Sequence, residues 1–103
     1  DTVVSDVTGS RAAGTLYQNT TGYPLFVAIS VICTPAEEAV LYLGASTAAT
    51  TVIGNAYGNF AADTTHIVGI PIPAIIPFGY YYKLIANIGT PQISTWIETR
   101  IGG

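Results

Sequence analysis

Charge is what this sequence has least of. Only 9% of its 103 residues are Asp, Glu, Lys or Arg, against the ~25% usual for a globular chain. Three cations, Arg11, Lys83 and Arg100, are all the basic side chains it has, and its net charge is −3. So few and scattered cations exclude nucleic acid as a partner, because phosphate recognition needs clustered Lys and Arg. A basic membrane-binding face is excluded for the same reason. Methionine is absent and cysteine occurs once, so no intramolecular disulfide braces the fold. Cys33 sits in the apolar run Phe26–Cys33, where a small core or interface residue is expected rather than a nucleophile. No apolar stretch reaches the ~20 residues of a membrane-spanning helix. The most hydrophobic segment, Ile67 to Phe78, is broken by Pro71, Pro73 and Pro77. Helix signals are nearly missing too, since the one strong acidic pair, Glu37-Glu38, follows Pro35 and supports at most a turn. The chain opens at Asp1 without an initiator methionine, which leads us to expect processing or a longer parent.

What is present is hydrophobic: half of the residues are apolar, which excludes disorder and suffices for one domain but not two. Short β-branched and aromatic runs recur every 10–12 residues or so between Gly, Pro and Asn, the pattern of an all-β sandwich or barrel. The expected fold is a single antiparallel β-sandwich, jelly-roll-like, of seven or eight strands with little or no helix. Strands are predicted over Thr15–Asn19, Leu25–Cys33, Val40–Leu43, Thr50–Asn55, His66–Ile70, Tyr80–Ala86 and Ile93–Ile101. Residues 1–13 read as an N-terminal arm or connector and 14–103 as the sandwich. Leu25–Cys33 is apolar on both faces, as in a strand covered twice; the opposing sheet is one cover, and another copy of the chain is the economical second. In the last strand, strict alternation puts Ile93, Thr95, Ile97, Thr99 and Ile101 on the core face and Trp96, Glu98 and Arg100 on the other.

Residue types that carry chemistry are sparse. His66 and Asp63 could join a hydroxyl in a catalytic triad, but no Gly-x-Ser-x-Gly elbow accompanies the lone histidine. Zinc-like and calcium-like spacings are missing, Glu37 and Glu38 diverge rather than pair as glycosidase acids do, and neither enzyme activity nor a cofactor or metal is expected. Asn19-Thr20-Thr21 fits the glycosylation pattern, yet reads better as a turn in which Asn and Thr bond their own backbone. Seven tyrosines are the most suggestive feature. Tyr80, Tyr81 and Tyr82 must alternate faces, so at least one phenol points away from the core, where Tyr suits a contact surface. Trp96, Glu98, Arg100, Tyr80, Tyr81 and Tyr82 are therefore the interface candidates, with Arg100 expected to reach Glu98 or a neighbouring subunit's acid.

Three segments give the chain a resemblance. Arg11-x-x-Gly14-Thr15-x-Tyr17-x-Asn19-x-Thr21-Gly22-x-Pro24, then Pro77-x-Gly79-x-x-Tyr82, then Trp96-x-Glu98-x-Arg100 together resemble a small β-sandwich module of tailed-bacteriophage virion proteins, as in tail-fibre and receptor-binding C-terminal regions. The resemblance implies a non-enzymatic structural protein on the particle surface, with no catalytic residues to transfer. It further implies a homo-oligomer, a trimer, contacting other virion proteins and a host surface receptor or glycan. The alternative within that reading is a capsid decoration or cement protein that holds the head through an N-terminal arm.

Overall fold

Strands form where β-branched and aromatic residues cluster, and the turns between them fall at Gly, Asn and Pro. A computed structural model describes residues 2–34, 36–58 and 68–102. Eight strands follow in order: β1 Val3–Asp6, β2 Leu16–Gln18, β3 Leu25–Cys33, β4 Glu38–Gly44, β5 Thr51–Tyr57, β6 Val68–Ile76, β7 Tyr81–Ile88 and β8 Gln92–Arg100. Beyond them the described residues hold one three-residue 3₁₀ turn, Thr8–Ser10, and no α-helix. His66 and Asp63 lie outside the described residues.

Two four-stranded antiparallel sheets result, ordered β1-β8-β3-β6 and β2-β7-β4-β5. The pairs β1/β8, β2/β7, β3/β6 and β4/β5 nest one within the next, so the chain is in effect one long hairpin rolled into a sandwich. That is the strand order of a jelly roll. Its consequence is that early and late residues become neighbours, with Val3 opposite Arg100.

The core lies between the sheets. Leu25, Val27, Ile29, Val31 and Cys33 of β3 face Leu41, Ala56, Tyr82 and Leu84 of the opposite sheet, joined by Ile72, Ile76 and Trp96. β3 alternates buried and half-buried residues along its full length, and it occupies a central position between β8 and β6. Where β5 passes β6, a Cβ on Gly54 would come within 2.7 Å of Ile72 Cγ2, so the absent side chain sets how closely the sheets approach there. Cys33 is buried and free, with its thiol pushed up by burial and then by Glu37 and Glu38.

Three expectations change. The segment read as an arm contributes β1, an edge strand exposed at every residue. The strand expected over His66–Ile70 runs on to Ile76, because Pro71 and Pro73 sit on an edge strand, where a missing N–H removes no ladder bond. The alternation expected in the last strand fails at a bulge: Ser30 pairs Thr95 but Val31 pairs Ile93, leaving Ser94 without an opposite number. Ile93 stays inward, but beyond the bulge the phase reverses. Trp96 lies opposite Ile29, Glu98 opposite Val27 and Arg100 opposite Leu25, so all three share the inner side with buried β3 residues, while Thr95, Ile97 and Thr99 turn outward.

Candidate functional site

The three segments behind the resemblance meet between the two sheets, around Trp96 and Tyr82 of the core. Arg11, just after the 3₁₀ turn, meets Glu98 of β8 through two bonds, with its Nη2 donating to Oε1 at 3.0 Å and Nε to Oε2 at 3.2 Å. The Tyr82 hydroxyl of β7 donates to the same carboxylate, and Trp96 Nε1 donates to the Tyr82 oxygen at 3.4 Å. Tyr17 of β2 closes the group, 5.7 Å from the Trp96 ring in an edge-on arrangement and 5.8 Å from Tyr82. The Arg11 guanidinium lies 4.5 Å from the Tyr17 ring centre, the geometry of a cation–π contact. Tyr17 Oη in turn accepts from Ala12 N at 2.8 Å.

Burial sets the electrostatics. The Tyr82 phenol is pushed well above its ordinary range, first by burial and then by its bond to the Glu98 carboxylate. Burial pulls Arg11 down, but Glu98 and Tyr82 hold the guanidinium above its ordinary value. Such a group is a brace: every polar atom named is turned on another within the chain, and none presents a nucleophile or base to solvent.

A second brace ties two turns. Asn19 is buried; its Nδ2 donates to Tyr23 O at 2.8 Å and Ile76 O at 2.9 Å, and its Oδ1 accepts from Thr21 N and Thr21 Oγ1. Both amide donors and both carbonyl lone pairs are thus used. Its backbone bonds Tyr80 O and Gly79 N, so the Asn-x-Thr-Gly turn and the Pro-x-Gly turn are held as a unit. Gly22 and Gly79 have φ of 83° and 84°, the region that favours glycine. The turn reading of Asn19-Thr20-Thr21 agrees with this geometry.

The interface candidates separate. Trp96 and Tyr82 are wholly buried in their own sandwich, so neither ring is free to anchor a partner; the bulge at Ser94 is the reason for Trp96. Glu98 pairs with Arg11 rather than Arg100. Arg100 lies with its guanidinium 5.6 Å from the Tyr23 ring, and its Nε is buried without a hydrogen-bond partner among the described residues. Tyr81 is half-buried and Tyr80 exposed.

Sequence reasoning missed where the open surface is. The outer face of the β1-β8-β3-β6 sheet is built in rows by the register: Val4, Thr99, Phe26 and Ile75, then Asp6, Ile97, Ala28 and Pro73, then Thr95, Ser30 and Pro71. Val4 is 65% exposed and Ile75 51%. Asp6 is the one charge in these rows, and its Oδ1 is occupied by Thr8 N and Thr8 Oγ1. The signal available in the sequence was the two-sided apolar strand Leu25–Cys33, which now proves to be the middle of this face.

The opposite outer face is amphipathic. Lys83 donates to Ala48 O at 3.2 Å and lies 5.8 Å from the Tyr42 ring, beside a shallow groove of about 350 Å³ lined by Tyr42, Ala49, Thr50, Lys83 and Ile85. Glu38 accepts from Asn55 and Asn87 on the two flanking strands. Among the described residues no three His, Cys, Asp or Glu side chains gather as metal ligands would.

No family model, curated protein or solved structure matches the chain.

Proposed function

We propose that this chain is a non-enzymatic structural module of a tailed-bacteriophage virion, of the tail-fibre or receptor-binding type, that works on the particle surface by packing and adhesion. The observation that carries the reading is the convergence of the three resembling segments. Arg11, Tyr17, Asn19, Gly79, Tyr82, Trp96 and Glu98 spend their polar groups holding the strands and turns of a jelly roll together. A motif used in this way marks a shared fold and leaves no catalytic group to align. Jelly rolls host many unrelated functions, so the virion assignment rests on the resemblance and on the poverty of charge.

A cement protein would hold the head with a free N-terminal arm. Here Val3–Asp6 pairs with β8, and Val7 N donates to Trp96 O at 2.9 Å, so this stretch is spent within the domain, and we prefer the fibre reading. Antibody against the chain, gold-labelled on intact particles, is expected to mark tail fibres. Label spread over the head lattice would replace the fibre reading with decoration, and particles that carry no label would contradict a virion role.

A further inference from the structure

We infer that the outer face of the β1-β8-β3-β6 sheet is the surface through which copies of this chain pack on one another. The inference deepens the structural reading by naming a partner and a surface, and it rests on that reading only for the claim that assembly is the chain's work.

Composition gives the first argument. Interface cores differ from ordinary surface chiefly by losing charge. In this chain the charged residues of β8 are folded inward, Glu98 onto Arg11 and Arg100 against Tyr23. What remains outside is Val4, Phe26, Ala28, Pro71, Pro73, Ile75 and Ile97 among Ser and Thr, with Asp6 at a corner. Burying this face strands no unpaired charge at its centre, where an uncompensated ion would cost several kcal/mol.

Geometry gives the second. Edge-to-edge pairing is the other way for β-sheets to associate, and both edges of this sheet resist it. β1 is four residues long, and β6 carries Pro71 and Pro73, the devices by which sheet edges are blunted. Face packing remains. Four strands ~4.8 Å apart, four residues long in β1 and nine in each of β8, β3 and β6, rising ~3.3 Å per residue, make a footprint of about 500 Å². Two such faces apposed bury about 1,000 Å², the lower limit of area for a biological interface. An uncharged apolar patch can pack on its own copy about a two-fold axis, the isologous contact of a dimer, whereas a foreign partner would have to match that patch by a separate surface.

Sedimentation equilibrium on the full chain, alone and as variants, tests this. The unmodified chain is expected as an oligomer at micromolar concentration. Ile75→Glu and Val4→Glu, both at exposed positions on the face, should raise its dissociation constant at least tenfold with the β-type circular dichroism retained. Val52→Glu, 58% exposed on the other sheet, should leave association unchanged and serves as the control for added charge. An unmodified chain that is monomeric at 100 µM or so would overturn the inference. So would an oligomer weakened by Val52→Glu and indifferent to the other two. Because the particle-labelling experiment asks only where the chain resides, the two can fail independently.

Discussion

Trp96 shows how much one side chain can decide. Its indole is wholly buried and packs on Tyr17 and Tyr82, so Trp96→Ala removes a large core volume and should cost about 3–5 kcal/mol in denaturant unfolding. Against the 5–15 kcal/mol or so that stabilises a typical domain, that is a large share of the total. A change confined to assembly, with stability kept, would mean that the ring faces a partner after all. Asn19 is the polar counterpart. Asn19→Ala strips the buried Ile76 carbonyl of its side-chain donor and frees the Thr21 turn, and a loss of about 1–3 kcal/mol is expected on the same assay. Part of this was legible in the sequence: an Asn-x-Thr-Gly turn bonding its own backbone follows from residue chemistry alone. The Arg11–Glu98 pair was not, because 87 positions separate the partners and only the rolled topology brings them together.

At the scale of elements, periodicity was informative wherever a strand runs unbroken. β3 matches the expected Leu25–Cys33 at both ends, since nine consecutive apolar or small residues stand between Pro24 and Thr34-Pro35. β8 defeated the same reasoning, because a one-residue bulge reverses every face beyond it and Ser94 carries no signal of its own. β1 was illegible for a different reason: an edge strand exposed at each position has no buried face to show, and its partner lies at the far end of the chain. The turns carry their own test. Glu37 accepts from Thr34 N at 2.8 Å and Thr90 N at 2.9 Å, clasping the β3–β4 turn to the β7–β8 turn. These bonds hold its carboxyl below the ordinary 4.5. A carboxylate depressed in the folded state adds stability that is full above its unfolded pKa and is lost as pH falls through the folded one. Unfolding free energy measured from pH 6 down to pH 3 should therefore fall less steeply in Glu37→Gln than in the unmodified chain. Parallel curves for the two proteins would show the clasp to be without energetic weight.

Over the molecule as a whole, the few charges of β8 and the apolar residues of the outer sheet face are separated by location. The charges of β8 are drawn inside, the two sheets are locked together by Arg11, Glu98, Tyr82 and Trp96, and a nearly uncharged sheet face is left uncovered. Low charge was plain from composition, and so was the prospect of contact with other protein. Which face would be bare was not, because that depends on the bulge and on the jelly-roll register. The most direct test is hydroxyl-radical footprinting of the chain at high and low concentration, read by mass spectrometry. Val4 and Ile75 are expected to be protected when concentrated and to become oxidised on dilution, while Val52, exposed on the opposite sheet, is oxidised equally at both. Val4 and Ile75 oxidised at the same rate whatever the concentration would contradict the claim that this face joins copies of the chain.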